Sequence, residues 1–445
     1  LNILSLNCWG LRFISHHRFA RLSEISRRIA SASPSYDIVA LQEFWVYSDY
    51  LHLRSVTSGV LPYGKFYHSG VLGGGLVILS RFRIVESNMW QYALNGRPTA
   101  FWRGDWYVGK GVAGAVLEIE DAGFLGGMRK EKRRVEVFCT HLHAPYEKGE
   151  DSYLCHRTAQ AWQLSKLLRA SVQRGHIPIA LGDFNMLPKS LAHHIITTHG
   201  LVSDSWLSAY PHTPDIPLHA SYNLTTLGAT CDSILNTWRL TSTQPDLPSS
   251  ESPDPDAQRL DYIFHSPLVS RVREIKVGFT ELYKLPGKPK PGKGVMKGGM
   301  VSLSDHFSVQ VKLEITPPGG SAGPLISLDG VDVEEAAQER SEDVYLPIDV
   351  IEEIQTLSSK YVRREEWEFK WRTWHFWASI LVLLALHVAV WWSTYYGMAF
   401  LFVMLSWMVG VSGVVNGMIG FLFMGSELNA LKEFEEEIRI YKEIA

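Results

Sequence analysis

The sequence predicts an α/β domain followed by a helical hairpin in a lipid bilayer, and three observations carry that expectation. Over residues 1–315, short apolar runs alternate with stretches of helical periodicity. Those runs repeatedly end on polar motifs. Farther along, no Asp, Glu, Lys or Arg occurs between Arg372 and Glu427, enough chain for two spans of about 20 residues each.

Residues 3–6, 38–41, 112–119, 135–139, 177–181 and 260–264 read as buried strands, and 307–315 as a strand closing the domain. Residues 16–31 carry Phe19, Leu22, Ile25 and Ile29 at helical spacing, and 152–174 carry Leu154, Ala161, Leu164, Leu168 and Val172 the same way. At 316–324 the run TPPGGSAGP is a linker by composition. The acidic stretch 329–353 has too few apolar residues to fold alone, so 316–349 is expected to be linker and acidic segment. Residues 350–373 form a basic, Trp-rich helix approaching the bilayer, with Ile351, Ile354, Leu357 and Tyr361 among Lys360, Arg363, Arg364, Lys370 and Arg372. Spans are expected at 374–394 and 397–424, and an amphipathic helix over 427–445. Basic residues flank the pair, whereas the connecting 393–396 carries no charge, so both ends and the α/β domain are expected on the cytoplasmic side. Gly410, Gly413, Gly417 and Gly420 recur at a spacing that lets another helix approach closely, which makes a homo-oligomer one expectation.

The polar motifs are LSLNCWG (4–10), LQEFW (41–45), THLHA (140–144), LGDFN (181–185), LDYIF (260–264) and SDHF (304–307). Their residue types suit metal-assisted phosphoryl chemistry, which needs a hard cation on oxygen ligands, a base for water, and donors for phosphate oxygens. Glu43 suits the cation and Asn7 could complete its shell; magnesium is favoured over zinc because carboxylate and amide oxygens dominate. Asp183 and Asn185 can orient water and phosphate, and His141 can donate to a phosphate oxygen. His306, after Asp305, is the candidate general base, with Asp261 to fix its tautomer. Each motif also has a bland reading: Asn7 as a strand-end cap, LGDFN as a turn, Asp305 and His306 as mere flanks of a strand. Their joint occurrence in a fixed order shifts the balance.

That order resembles the endonuclease/exonuclease/phosphatase superfamily over roughly residues 1–315. The resemblance sharpens toward neutral sphingomyelinases through LNCWG (6–10), HSGVLGGGLVILSR (68–81), LNGRP (94–98), RGDWYVGKG (103–111) and THLHAPY (140–146), and toward fungal inositol phosphosphingolipid phospholipases C through YLCHR (153–157) and the C-terminal hairpin. It implies a four-layer α-β-β-α sandwich of DNase-I type. It also implies a magnesium-dependent phospholipase C that cleaves membrane sphingolipids to ceramide and a phosphorylated headgroup, with endoplasmic reticulum or mitochondrial membranes as the setting. In such enzymes an Asp and a Lys of one loop switch the site on; here they are Asp105 and Lys110. The glycine and lysine spacing of 104–111 also resembles a phosphate-binding P-loop, but Gly111 follows Lys110 where Ser or Thr belongs, and 112–119 reads as a strand, not a helix.

Bulk composition decides less. The net charge is -3, which argues against a dedicated nucleic-acid binder. Lys284, Lys288, Lys290, Lys293 and Lys297 form a basic loop before His306, either solvated or meeting an anionic lipid, so an anionic phospholipid is an expected activator. Cys8, Cys139, Cys155 and Cys231 form no metal-type pair and agree with a reducing compartment. No signal peptide is visible, and a chain opening at Leu1 inside a strand is expected to have lost its true start. The rivals are a DNA-repair-type nuclease, an inositol polyphosphate phosphatase, and a membrane scaffold whose catalytic domain is retired.

Overall fold

The computed structural model describes residues 1–120, 132–147, 149, 151–213, 216–241, 246–287, 289, 292–316 and 344–445. The chain divides into two compact units: Leu1–Tyr92 with Tyr107–Tyr153 and Gln160–Tyr345, and Ala93–Trp106 with Leu154–Ala159 and Leu346–Ala445.

The first unit contains strands β1 (Asn2–Asn7), β2 (Ile38–Gln42), β3 (Tyr63–Tyr67), β4 (Leu76–Ser80), β5 (Arg83–Gln91), β6 (Gly111–Glu120), β7 (Lys132–His141), β8 (Ile177–Asp183), β9 (Ser203–Asp204), β10 (Asp261–His265), β11 (Ser270–Gly278), β12 (Tyr283–Lys284), β13 (Met300–Val301) and β14 (Ser308–Ile315). Two six-stranded sheets run in the orders β11-β14-β1-β2-β4-β3 and β5-β6-β7-β8-β10-β9, and β12 pairs with β13. Each sheet has a parallel pair at its heart, β1 with β2 and β7 with β8, inside otherwise antiparallel neighbours.

The sheets meet through apolar inner faces. Ile3, Ile38, Ile78 and Val311 from one join Ala113, Val137, Ile179 and Ile263 from the other in one buried cluster. The strands alternate, so their other faces bury against helices. Leu4, Leu6 and Val39 pack with Leu22, Ile25 and Ile29 of α1 (Arg18–Ala30) and with Tyr50 and Leu53 of α2 (Tyr47–Thr57). On the far side, Gln163 of α3 (Leu154–Gln173) bonds the carbonyl of Gln91. There His193 of α4 (Leu191–His199) lies against the rings of Tyr262 and Phe264. The result is the expected α-β-β-α sandwich.

Register decides where function sits. Asn7 stands opposite Gln42 at the ends of β1 and β2, and His141 opposite Asp183 at the ends of β7 and β8. Antiparallel β10 puts its first residue, Asp261, against Asp183. Antiparallel β14 begins just after His306 and pairs Val309 with Ser5. Every motif therefore comes to one end of the sandwich.

In the second unit, α5 (Ile348–Trp391) and α6 (Tyr396–Met418) form the hairpin, and a π-helical turn at Ile419–Met424 carries the chain without a break into α7 (Gly425–Ile444). Both helical stretches are long and apolar enough to cross a membrane. The basic segment expected over 350–373 and the start of the first expected span lie on one continuous helix of 44 residues, α5. No Gly or Pro interrupts it, which leaves nothing to end it there. The glycine face of α6 lies against α5 itself. A Cβ at Gly413 would fall 2.5 Å from that of Ser379, and one at Gly417 2.6 Å from the Phe376 ring. Most of the linker and the acidic stretch through residue 343, and also Lys288 and Lys290, lie outside the described residues.

Candidate active site

The site grows out of strand ends in both sheets. Asn7 donates its side-chain amide to Glu43 Oε1 at 3.2 Å and to Asp183 Oδ2 at 3.0 Å, and so links both sheets. Its own oxygen accepts from the Trp9 N–H at 3.0 Å. Glu43 has a left-handed backbone (φ 53), which turns its side chain off the end of β2 into the site. Its carbonyl accepts from the Gly10 N–H at 2.9 Å, and a Cβ at residue 10 would sit 2.4 Å from that oxygen, so LNCWG must end in glycine. Gly182 in LGDFN answers to the same constraint: φ is 150 and an added Cβ would meet the Thr140 carbonyl oxygen at 1.9 Å.

Asp261 Oδ2 is 2.8 Å from His306 Nδ1, which leaves Nε2 directed at Asp183 Oδ2, 3.9 Å away. His141 Nε2 approaches the same Asp183 oxygen at 3.5 Å. The Asn185 backbone N–H caps Asp183 Oδ1 at 3.0 Å. Lys110 Nζ and the Asn185 side-chain amide both donate to the Leu142 carbonyl, at 2.9 and 3.1 Å. Asp305 accepts from the Ser304 hydroxyl at 3.2 Å. Nine predicted residues thus converge in the first unit: Asn7, Glu43, Lys110, His141, Asp183, Asn185, Asp261, Asp305 and His306. Asp105 is buried in the second unit, on a single 3₁₀ turn, Asp105–Tyr107. Gly111 opens strand β6 and no helix, so the P-loop reading fails.

Burial sets the electrostatics. It pushes the Glu43 carboxyl up to about 7, with Asp305 adding to the rise, and Asp183 up to about 6, helped by Asp261. Burial also raises Asp305. For His306, burial works against the charged ring, but Cys231, Asp261 and Asp183 outweigh it and hold its pKa well above the ordinary value. His141 goes the other way, kept neutral by burial and by the charges of Lys110 and His306.

Sequence reasoning missed a supporting layer. Arg21, fully buried on α1, donates to the carbonyls of His16 (2.8 Å), Cys8 (3.1 Å), Leu303 (2.6 Å) and Trp9 (2.8 Å). Its guanidinium lies over the Trp9 and Trp238 rings. It therefore fastens the loop after Asn7 to the loop before His306. The signal was available: an arginine next to Leu22 on the apolar face of an amphipathic helix needs buried partners. Thr230, whose hydroxyl donates to Asp261 Oδ2 at 2.6 Å, gave no sequence signal.

Residues 4–306 match the Endonuclease/Exonuclease/phosphatase family. The chain belongs to that family. Inositol phosphosphingolipids phospholipase C of Schizosaccharomyces pombe (strain 972 / ATCC 24843) is 41% identical over 448 residues, 99% of this chain and 94% of that protein. The protein of the same name from Saccharomyces cerevisiae (strain ATCC 204508 / S288c) is 33% identical over 473 residues, covering 98% of this chain and 89% of its own length. Among solved structures, SmcL aligns at a TM-score of 0.48 and 19% identity, covering 71% of this chain and 98% of that one. The resemblance read in the motifs is thereby borne out.

Within this member of the family, Asp183, Asp261 and His306 place their ligand atoms within 4.8 Å of one another, a group that could hold a metal ion. Glu43 Oε2 and Asp261 Oδ1 are buried with no hydrogen-bond partner. Buried carboxylate oxygens without donors, in a cluster where burial already resists negative charge, fit a divalent cation.

Proposed function

We propose that this chain is a membrane-anchored, magnesium-dependent phospholipase C that hydrolyses sphingolipid phosphodiesters, inositol phosphate headgroups above all. The observation that carries the reading is the His306–Asp261 pair aimed at Asp183 beside the orphaned oxygen of Glu43. Magnesium held by Glu43, with Asn7 beside it, would neutralise the phosphate and the leaving oxygen. Asp261 fixes the His306 tautomer through Nδ1, so Nε2 is the atom that accepts a proton from water. The water oxygen bonds to phosphorus, the bond from phosphorus to the ceramide oxygen breaks, and that oxygen takes up a proton; one water is consumed. Asn185 and neutral His141 would donate to phosphate oxygens, while Asn7, whose amide already donates to Glu43 and Asp183, would hold those two carboxylates in position.

Lys110 and Asp105 are the proposed switch, and exposed Lys284, Lys293 and Lys297 support contact with an activating anionic phospholipid. The charge-free hairpin with basic flanks supports a cytoplasm-facing catalytic unit; the endoplasmic reticulum or mitochondrial membrane is the setting that the family resemblance implies. With the α6 glycines already packed on α5, a homo-oligomer would need another helix face. The test is release of phosphorylated headgroup from vesicles containing inositol phosphoceramide or sphingomyelin, with and without magnesium and anionic phospholipid. Magnesium-dependent ceramide formation is expected; absence of cleavage of both lipids by folded protein would return the nuclease, phosphatase and scaffold readings.

A further inference from the structure

The first unit distributes its exposed apolar side chains unevenly. Phe13 and Ile14, 92% and 66% exposed, lie in the loop after β1 that follows Asn7. Val71 and Leu72, 83% and 58% exposed, lie in the loop joining β3 to β4. That loop belongs to the same end, because Tyr67 pairs with Leu76 while Val77 pairs with Leu41, next to Gln42 and Glu43. Tyr146 follows His141 and Leu187 follows Asn185, and both are about half exposed. At the opposite end of the strands, the exposed large apolar residues among the described ones are Tyr63, Val85 and Leu268, at 40%, 42% and 42%. Isolated, half-covered residues of that kind are ordinary on protein surfaces. Four separate loops presenting apolar tips around one site are not.

We propose that these loops form a lipid-docking rim that inserts into the boundary between headgroups and acyl chains and brings the site to the depth of the phosphodiester. The occupant is the bilayer, an assignment that rests on the sphingolipid reading and on two observations. The chain carries helices able to span a membrane, so the first unit is tethered to a lipid surface whatever its orientation. Exposed Arg12 and Lys189 neighbour Phe13 and Leu187 in sequence, the pairing of apolar tip and cation that suits an interface with phosphate above and hydrocarbon below. The rim has a catalytic reason: His306 and Asp183 are buried, and a two-chain lipid cannot leave the bilayer to reach them. Lowering the site into the headgroup layer removes the need to extract the lipid.

Two measurements on the full chain test this. In the first, Phe13→Asp with Ile14→Asp, and Val71→Asp with Leu72→Asp, are compared with Val85→Asp with Leu268→Asp at the opposite end. Headgroup release is measured from inositol phosphoceramide in phosphatidylcholine vesicles and from a short-chain analogue dissolved as monomer. The rim pairs are expected to lose about tenfold or more on vesicles, as fits loss of buried apolar contacts, with the soluble analogue unaffected and the control pair unchanged on both. An equal loss on both substrates, or no loss on vesicles, overturns the proposal. The second measurement does not depend on turnover. A spin label at Val71→Cys in phosphatidylcholine proteoliposomes should collide with lipid-dissolved oxygen in preference to an aqueous nickel complex, and a label at Val85→Cys the reverse. Aqueous behaviour at both positions overturns the rim even if the enzyme cleaves sphingolipid; lipid exposure at Val71 in a protein that cleaves neither lipid would retain the rim and remove the substrate assignment.

Discussion

Both units bury carboxylates, and they do so to opposite ends. In the catalytic cluster, Glu43 and Asp183 are raised by burial, their neighbours raise the His306 pKa against its burial, and oxygens of Glu43 and Asp261 lack donors. In the second unit, Glu427 and Glu365 are pushed by burial up to about 8 and about 7. There His156, 3.2 Å from Glu427, is driven down to about 4 by burial, and the Arg364 guanidinium engages Glu365. That cluster lies among Leu94, Cys155, Tyr361 and Leu431. Carboxyls of both arrangements keep their protons to higher pH than ordinary ones; the first also gathers Asp183, Asp261 and His306 into a group that could hold a metal ion. Burial alone therefore does not mark a site. Unpartnered oxygens do not mark it either, since Glu365 Oε2 and Glu427 Oε2 also lack donors. What differs is the histidine, whose neighbours outweigh its burial in the first unit and do not in the second.

The comparison can be broken at several points. His306→Ala should reduce turnover on the order of a thousandfold, the scale of a lost general base, with thermal unfolding and membrane insertion unchanged; near-normal turnover would remove His306 from that role. Glu43→Gln should abolish magnesium-dependent activity, whereas Glu427→Gln, which mimics a carboxyl already protonated, should leave kcat nearly untouched. Equal losses in a magnesium titration of both variants would erase the distinction. Arg21→Met should lower kcat about 10- to 100-fold, as loss of an orienting group does, and weaken apparent magnesium affinity more than it raises KM. Arg21→Lys should restore only part, because one ammonium cannot span four carbonyls.

The smallest effect concerns pH. The raised carboxyls of Glu43, Asp183, Asp305, Glu365 and Glu427 hold protons in the folded chain that the unfolded chain releases. From the ordinary carboxylate range up to about 6–8, metal-free protein should therefore lose stability as pH rises. Magnesium should reverse the part due to Glu43 and Asp183 and spare the part due to Glu427 and Glu365. Thermal unfolding at several pH values, with chelator and with magnesium, checks this; a stability that rises over that window without metal would contradict it.

Much of the site was legible because chemistry at strand ends leaves compact motifs: Asn7, Glu43, Asp183 and Asp261 each terminate or begin a strand within a residue of where the apolar runs end. The glycine of LGDFN was readable as a turn residue, but the close approaches that require it and Gly10 of LNCWG were not. Arg21 was readable as a buried cation on the apolar face of its helix, but its bond to the Leu303 carbonyl, like that of Thr230 to Asp261, is revealed only by tertiary pairing. In α5 polarity changes at residue 373 while helix-forming tendency does not, so the helix runs on through the change. Nor could composition predict that Ala93–Trp106 and Leu154–Ala159 would group with the C-terminal helices.

The most direct test of the account is hydrolysis of inositol phosphoceramide in vesicles made in ¹⁸O-water with magnesium, with both products weighed by mass spectrometry. Water attack at phosphorus predicts one ¹⁸O in the released inositol phosphate and none in the ceramide. Label in the ceramide, or no magnesium-dependent release from folded protein, would contradict it.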